Sequence, residues 1–147
     1  MVKKIVFIFL ILTIISCKKE KVDGIIIGDT LFVHQSVSEN RKMVNLINKA
    51  LKKDKNAIVN LTEFPNGGAA SSYDLGFVIT QIIYRIGEEN FSKTIIDLPT
   101  KKLGNIEGLI AVGLEYGDND YDGKIDNRRI EQEFPKLHRI LSKKKLT

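Results

Sequence analysis

Four aspartates stand at short intervals in the stretch Asp118-Asn119-Asp120-Tyr121-Asp122-Gly123-Lys124-Ile125-Asp126. Carboxylates are hard oxygen donors. Three at alternate positions, followed by a glycine that permits a sharp turn, suit the gathering of oxygens around calcium. The same residues also read as a polar turn between two helices, with Gly117 ending one, Asp126 or Asn127 capping the next, and the aspartates in water. Outside this stretch the groups suited to acid-base chemistry are His34, His138 and Glu115, which have no common motif. Ser71 and Ser72 lack a nucleophile elbow, and Pro65-Asn66-Gly67-Gly68 lacks the Gly-Lys-Ser/Thr of a phosphate loop, so that segment reads as a turn feeding a helix.

The aspartate stretch resembles the first part of an EF-hand calcium loop over nine residues. Oxygen side chains fall at loop positions one, three, five and nine, glycine at six and an aliphatic residue at eight. The resemblance implies Asp118, Asp120, Asp122 and Asp126 as side-chain ligands and the backbone carbonyl of Lys124 as another. Position twelve, where an EF-hand places a bidentate glutamate, is Arg129. Without those two oxygens the expected affinity is that of extracellular modules, roughly 0.1 to 1 mM. Glu131 or Glu133 could replace the missing glutamate only if the chain left the loop differently.

The N-terminus carries a second chemical signal. Lys3 and Lys4 precede an apolar run from Ile5 to Ile15 that is interrupted only by Thr13. That is the charged-then-apolar order of an export signal, and it is too short for the roughly twenty residues that span a bilayer. Ile14-Ile15-Ser16-Cys17 resembles the lipobox of bacterial lipoproteins. The resemblance implies a thioether-linked diacylglycerol on Cys17, cleavage between Ser16 and Cys17, and often a further acyl chain such as palmitate on the new amino group. Residues 1–16 are then a signal peptide, 17–24 a lipidated cysteine with a charged tether, and 25–147 a single helical domain. The expected location is the cell membrane or outer membrane of a bacterium, facing periplasm or exterior. Cys17 is the sole cysteine, so no internal disulfide can form.

The elements that must position these residues follow from apolar periodicity. Met43, Leu46, Ile47, Ala50 and Leu51 predict a helix over about 39–53, capped by Ser36 or Ser38. A second helix starts at Asp54 and carries Ile58, Val59 and Leu61 inward. The third, begun near Ser71 or Ser72 and stopped near Gly87, has the widest apolar face, formed by Leu75, Val78, Ile79, Ile82, Ile83 and Ile86. Glu88 and Glu89 open a fourth that runs until Pro99. A fifth spans about Thr100 to Tyr116, where Gly104, Gly108 and Gly113 suggest close approach of another helix. The last begins near Asn127, with Pro135 starting a new helix or kinking the old one. Before them, Ile25 to Ile27 and Leu31 to Val33 around Gly28-Asp29-Thr30 predict a hairpin or an extended arm. The fold class is therefore all-α, a small bundle or array of five to six short helices with a short N-terminal arm or hairpin.

Composition narrows the function. Of the 147 residues, 43% are hydrophobic, 23 are Lys or Arg and 18 are acidic. Subtracting Lys3 and Lys4 leaves only a weak excess of dispersed basic residues among few aromatics, so nucleic acid is not an expected partner. With no convergent catalytic set, the expectation is a lipid-anchored, non-enzymatic protein-binding module, for example an immunity or inhibitor protein, stabilised by calcium. Its partners would be the membrane and a protein. The alternative is a small envelope enzyme using His34, His138 or Glu115.

Overall fold

A computed structural model describes residues 20–143. The chain opens with a two-stranded antiparallel hairpin, β1 (Lys21–Val22) and β2 (Ile25–Ile26), in which Lys21 faces Ile26 and Val22 faces Ile25. Eight helices follow among the described residues: α1 (Asp29–Val33), α2 (Val37–Leu51), α3 (Lys55–Thr62), α4 (Ala69–Ile86), α5 (Glu88–Ile95), α6 (Thr100–Tyr116), α7 (Ile130–Glu133) and α8 (Pro135–Lys143). The fold is all-α with a short N-terminal hairpin, and none of these helices is long and apolar enough to cross a membrane.

The hairpin lies four residues earlier than the spacing of apolar runs suggested, and the order of two residues explains why. Asp23 (φ 48°) and Gly24 (φ 84°) both occupy the left-handed region. A two-residue turn of that kind favours Asp followed by Gly. Gly28-Asp29 has the reverse order, and there the chain enters α1 instead, so Leu31 to Val33 are helical. Lys21 to Gly24, expected as tether, belong to this hairpin. The cap of α1 comes from a distance: Asp74 on α4 accepts hydrogen bonds from the Thr30 hydroxyl and, at 3.1 Å, from the Leu31 amide. Gly28 makes room for that carboxylate, since a Cβ there would collide with it.

Local signals set the other helices. Ser36 and Glu39 form a reciprocal capping box at the start of α2, and the Asp54 carboxylate accepts from the Ala57 amide at 2.9 Å to begin α3. Ser71 and Ser72 are not caps. The helix starts earlier, after Gly68 (φ 152°), and Ser71 instead donates to the Thr30 carbonyl. Pro135 opens α8.

The core is built around α4, with Leu75, Val78, Ile79, Ile82, Ile83 and Ile86 buried against the surrounding helices. Its principal neighbour is α6, and the two approach closely at Gly76 and Gly113. Gly104 and Gly108 play no such part, because a Cβ at either would meet open space. The end of α6 delivers the chain into the aspartate stretch.

Candidate metal centre

Gly117 terminates α6, and the chain then makes a compact loop instead of passing directly into another helix. Two left-handed residues shape it, Tyr121 (φ 63°) and Gly123 (φ 86°). Asp120 and Asp122 each accept the amide two residues on, from Asp122 at 3.3 Å and Lys124 at 2.9 Å, which closes two successive side-chain turns. Asp118 accepts the Gly123 amide on Oδ2 at 3.1 Å. These bonds bring one oxygen from each of Asp118, Asp120 and Asp122 within 4.8 Å of one another.

The loop is fastened to the helical body by residues the sequence did not single out. Asn119 accepts the Thr80 hydroxyl at 2.8 Å and donates to the Gly113 carbonyl at 3.1 Å, and so ties the loop to both α4 and α6. Arg128 donates to Asp120 at 2.8 Å, lies 3.4 Å from Asp126 and 3.7 Å from Glu133, and reaches the Tyr84 hydroxyl at 3.5 Å. The Asp126 carboxylate, 4% exposed, accepts the Asn119 amide at 2.7 Å and thereby closes the loop.

The expected ligands therefore separate into two groups. Asp118, Asp120 and Asp122 converge. Asp126 does not join the cluster and caps no helix, because its carboxylate is committed to Asn119 and Arg128. Lys124 keeps its ammonium 3.4 Å from Asp122 Oδ2. Arg129, at the position of the missing glutamate, is exposed, and its carbonyl accepts the Gln132 and Glu133 amides as α7 begins. Glu133 cannot stand in as a ligand without leaving Tyr84, which donates to it at 2.7 Å. Lipidation at Cys17 and cleavage after Ser16 lie outside the described residues.

The residues fit a hard cation in one telling respect. Asp118 Oδ1 is buried and has no hydrogen-bond partner, while its sister oxygen is held by Gly123. A buried carboxylate oxygen without a donor is costly, and a divalent cation is a natural counterpart for it. Calcium would be held by Asp118, Asp120 and Asp122, and would supply charge neutralisation and cross-linking of the loop.

Asp118 also lines a cleft of about 240 Å³ with Asp29, Asp74, Tyr73, Phe77 and Tyr116. Tyr73 and Tyr116 stand at its edge with ring centroids 4.9 Å apart, 43% and 47% exposed. Of the acid-base groups, His34 is exposed at the end of α1. Glu115 and His138 share a different cleft of about 230 Å³ with Glu107, Glu131, Arg128 and Arg129. Comparison with protein-family models, curated proteins and solved structures finds no match for the chain.

Proposed function

We propose that this protein is a lipid-anchored component of a bacterial cell envelope, whose helical domain is a non-enzymatic protein-binding module braced by calcium. The observation that carries the reading is Asp118. Its unpartnered Oδ1 argues for a cation in the loop, and the residue also walls the cleft beside Tyr73 and Tyr116. Exposed tyrosines are favoured where proteins meet, because they contribute large contact area at low entropic cost. A cation held by Asp118 would set the charge of that cleft and the stiffness of its loop together. Anchoring rests on the lipobox-like Ile14-Ile15-Ser16-Cys17.

Two measurements test the reading. Thermal unfolding in calcium and in chelator should differ, with calcium raising the midpoint; identical curves would remove the metal. Intact mass of protein extracted from bacterial membranes should show diacylglycerol on Cys17, and an unmodified residue there would remove the anchor.

One observation favours a second reading, a small envelope enzyme. Glu115 and His138 line one cleft together, with two further glutamates and two arginines. That group could move a proton. Turnover of an ester, amide or glycoside substrate that His138→Ala abolishes would establish it, and no turnover with any of the three would dismiss it.

A further inference from the structure

The acyl chains proposed on Cys17 begin three residues before Glu20, within about 11 Å of it even along a fully extended backbone. Glu20 is the first described residue, and it lines a shallow cavity of about 330 Å³ with Phe32, Val37, Asn40, Arg41 and Val44. Two β-branched residues mark the corner between α1 and α2: Val37, which lines the cavity at the start of α2, is 70% exposed, and Val33, which ends α1, is 76% exposed. Arg41 is exposed on the same face, and the exposed Lys21 stands on β1, which packs against α2.

We propose that this face rests on the bilayer that receives the Cys17 acyl chains. Val33 and Val37 enter the interfacial layer, and Arg41 and Lys21 lie at anionic lipid phosphates. The inference rests on the anchor reading and deepens it, turning a tether into a fixed orientation. A bilayer suits the face better than a protein does. Two valines and a shallow cavity fall well short of the roughly 800 Å² per partner of a stable protein interface, but suffice for shallow insertion once a tether keeps the surface close. Arg41 and Lys21 outnumber Glu20 at this face, and an excess of basic residues beside an apolar tip attracts anionic lipid.

The test uses the full chain, matured in a bacterial host and reconstituted into vesicles of phosphatidylethanolamine and phosphatidylglycerol containing brominated lipid. Cys17 is the sole native cysteine, and in protein that carries the lipid it is blocked as a thioether, so an introduced cysteine then takes a fluorophore cleanly. Labels are placed by Val33→Cys and Val37→Cys, with Ile96→Cys, just after α5, and Arg139→Cys, on α8, as controls. All four positions are exposed, and circular dichroism verifies that each variant keeps its helices. Expected is quenching several-fold stronger at 33 and 37 than at 96 and 139. Equal quenching at all four positions, or none, in protein whose mass shows the lipid, overturns this orientation and leaves the anchor standing. A mass showing residue 17 unmodified overturns both.

Discussion

Gly76 on α4 and Gly113 on α6 touch backbone to backbone. A Cβ on Gly113 would fall on the Gly76 carbonyl, and one on Gly76 would fall on the Leu109 carbonyl and lie 3.0 Å from the Gly113 amide nitrogen. Neither obstacle is a flexible side chain, so the helices themselves would have to separate. Gly113→Ala is expected to destabilise the fold by about 1 to 3 kcal/mol, toward the upper figure. Gly104→Ala and Gly108→Ala, which point into open space, should stabilise by up to about 1 kcal/mol through helix propensity. Thermal unfolding followed by circular dichroism separates them, and equal effects at all three positions would contradict the packing described.

Tyr84 predicts an alkaline weakness. Burial, and then its hydrogen bond to the Glu133 carboxylate, push its phenol up from 10.0 to about 12, with Arg128 pulling in the other direction. A group whose folded value is raised contributes stability that is complete below the unfolded value and disappears as pH climbs through the folded one. The contribution of Tyr84 is therefore intact below about pH 10 and lost on approach to pH 12. Tyr84→Phe should flatten the decline in stability over that window, as measured by urea unfolding at stepped pH. An unchanged slope would show that the phenol titrates freely in the folded protein.

Much of this architecture was legible in the sequence, for reasons that are local. The apolar stripes of α2 to α6 repeat with helical spacing, and caps such as Ser36 and Asp54 act within three residues of themselves. What escaped was set by long-range partners. Asp126 has the spacing of a ligand, but Asn119 and Arg128 claim it. Gly104, Gly108 and Gly113 look alike in sequence, and only the arrival of Gly76 distinguishes the third. The displaced hairpin was readable, since Asp-Gly at 23 and 24 is a stronger turn signal than Gly-Asp at 28 and 29. Arg128, which joins the loop to α4 and α7, gave no warning beyond its proximity to Asp126.

The three converging carboxylates predict opposite effects of neutralisation in two solutions. In chelator, Asp118→Asn removes one of three negative charges crowded together, and stability should hold or rise slightly. In calcium the same variant should lose the stabilisation seen in the wild type, which is about 2.7 kcal/mol when calcium is a hundredfold above its dissociation constant. Asp126→Asn should weaken the fold in both solutions, because its carboxylate holds the Asn119 amide and Arg128 independently of any metal. Paired melting curves read all four cases, and an Asp118→Asn protein that still gains stability from calcium would exclude Asp118 as a ligand.

Gln81 makes the furthest-reaching prediction from a single side chain. It is 1% exposed within α4, accepts the Ile26 amide at 2.8 Å and donates to the Ile26 carbonyl at 2.9 Å, so it serves β2 as a neighbouring strand would. Its Oε1 also receives the Tyr121 hydroxyl at 3.3 Å, which places hairpin, central helix and aspartate loop on one amide. Gln81→Leu matches its size but strands both backbone groups of Ile26, each at about 1 to 3 kcal/mol. The expected loss is on the order of 2 to 5 kcal/mol, together with a fall in hydrogen-exchange protection at the Ile26 amide that exceeds the fall at amides in α8. Gln81→Glu retains the acceptor and should do no better, because it removes the donor and buries a charge among isoleucines. Protection at Ile26 that survives Gln81→Leu would mean that the hairpin is held by its apolar contacts alone.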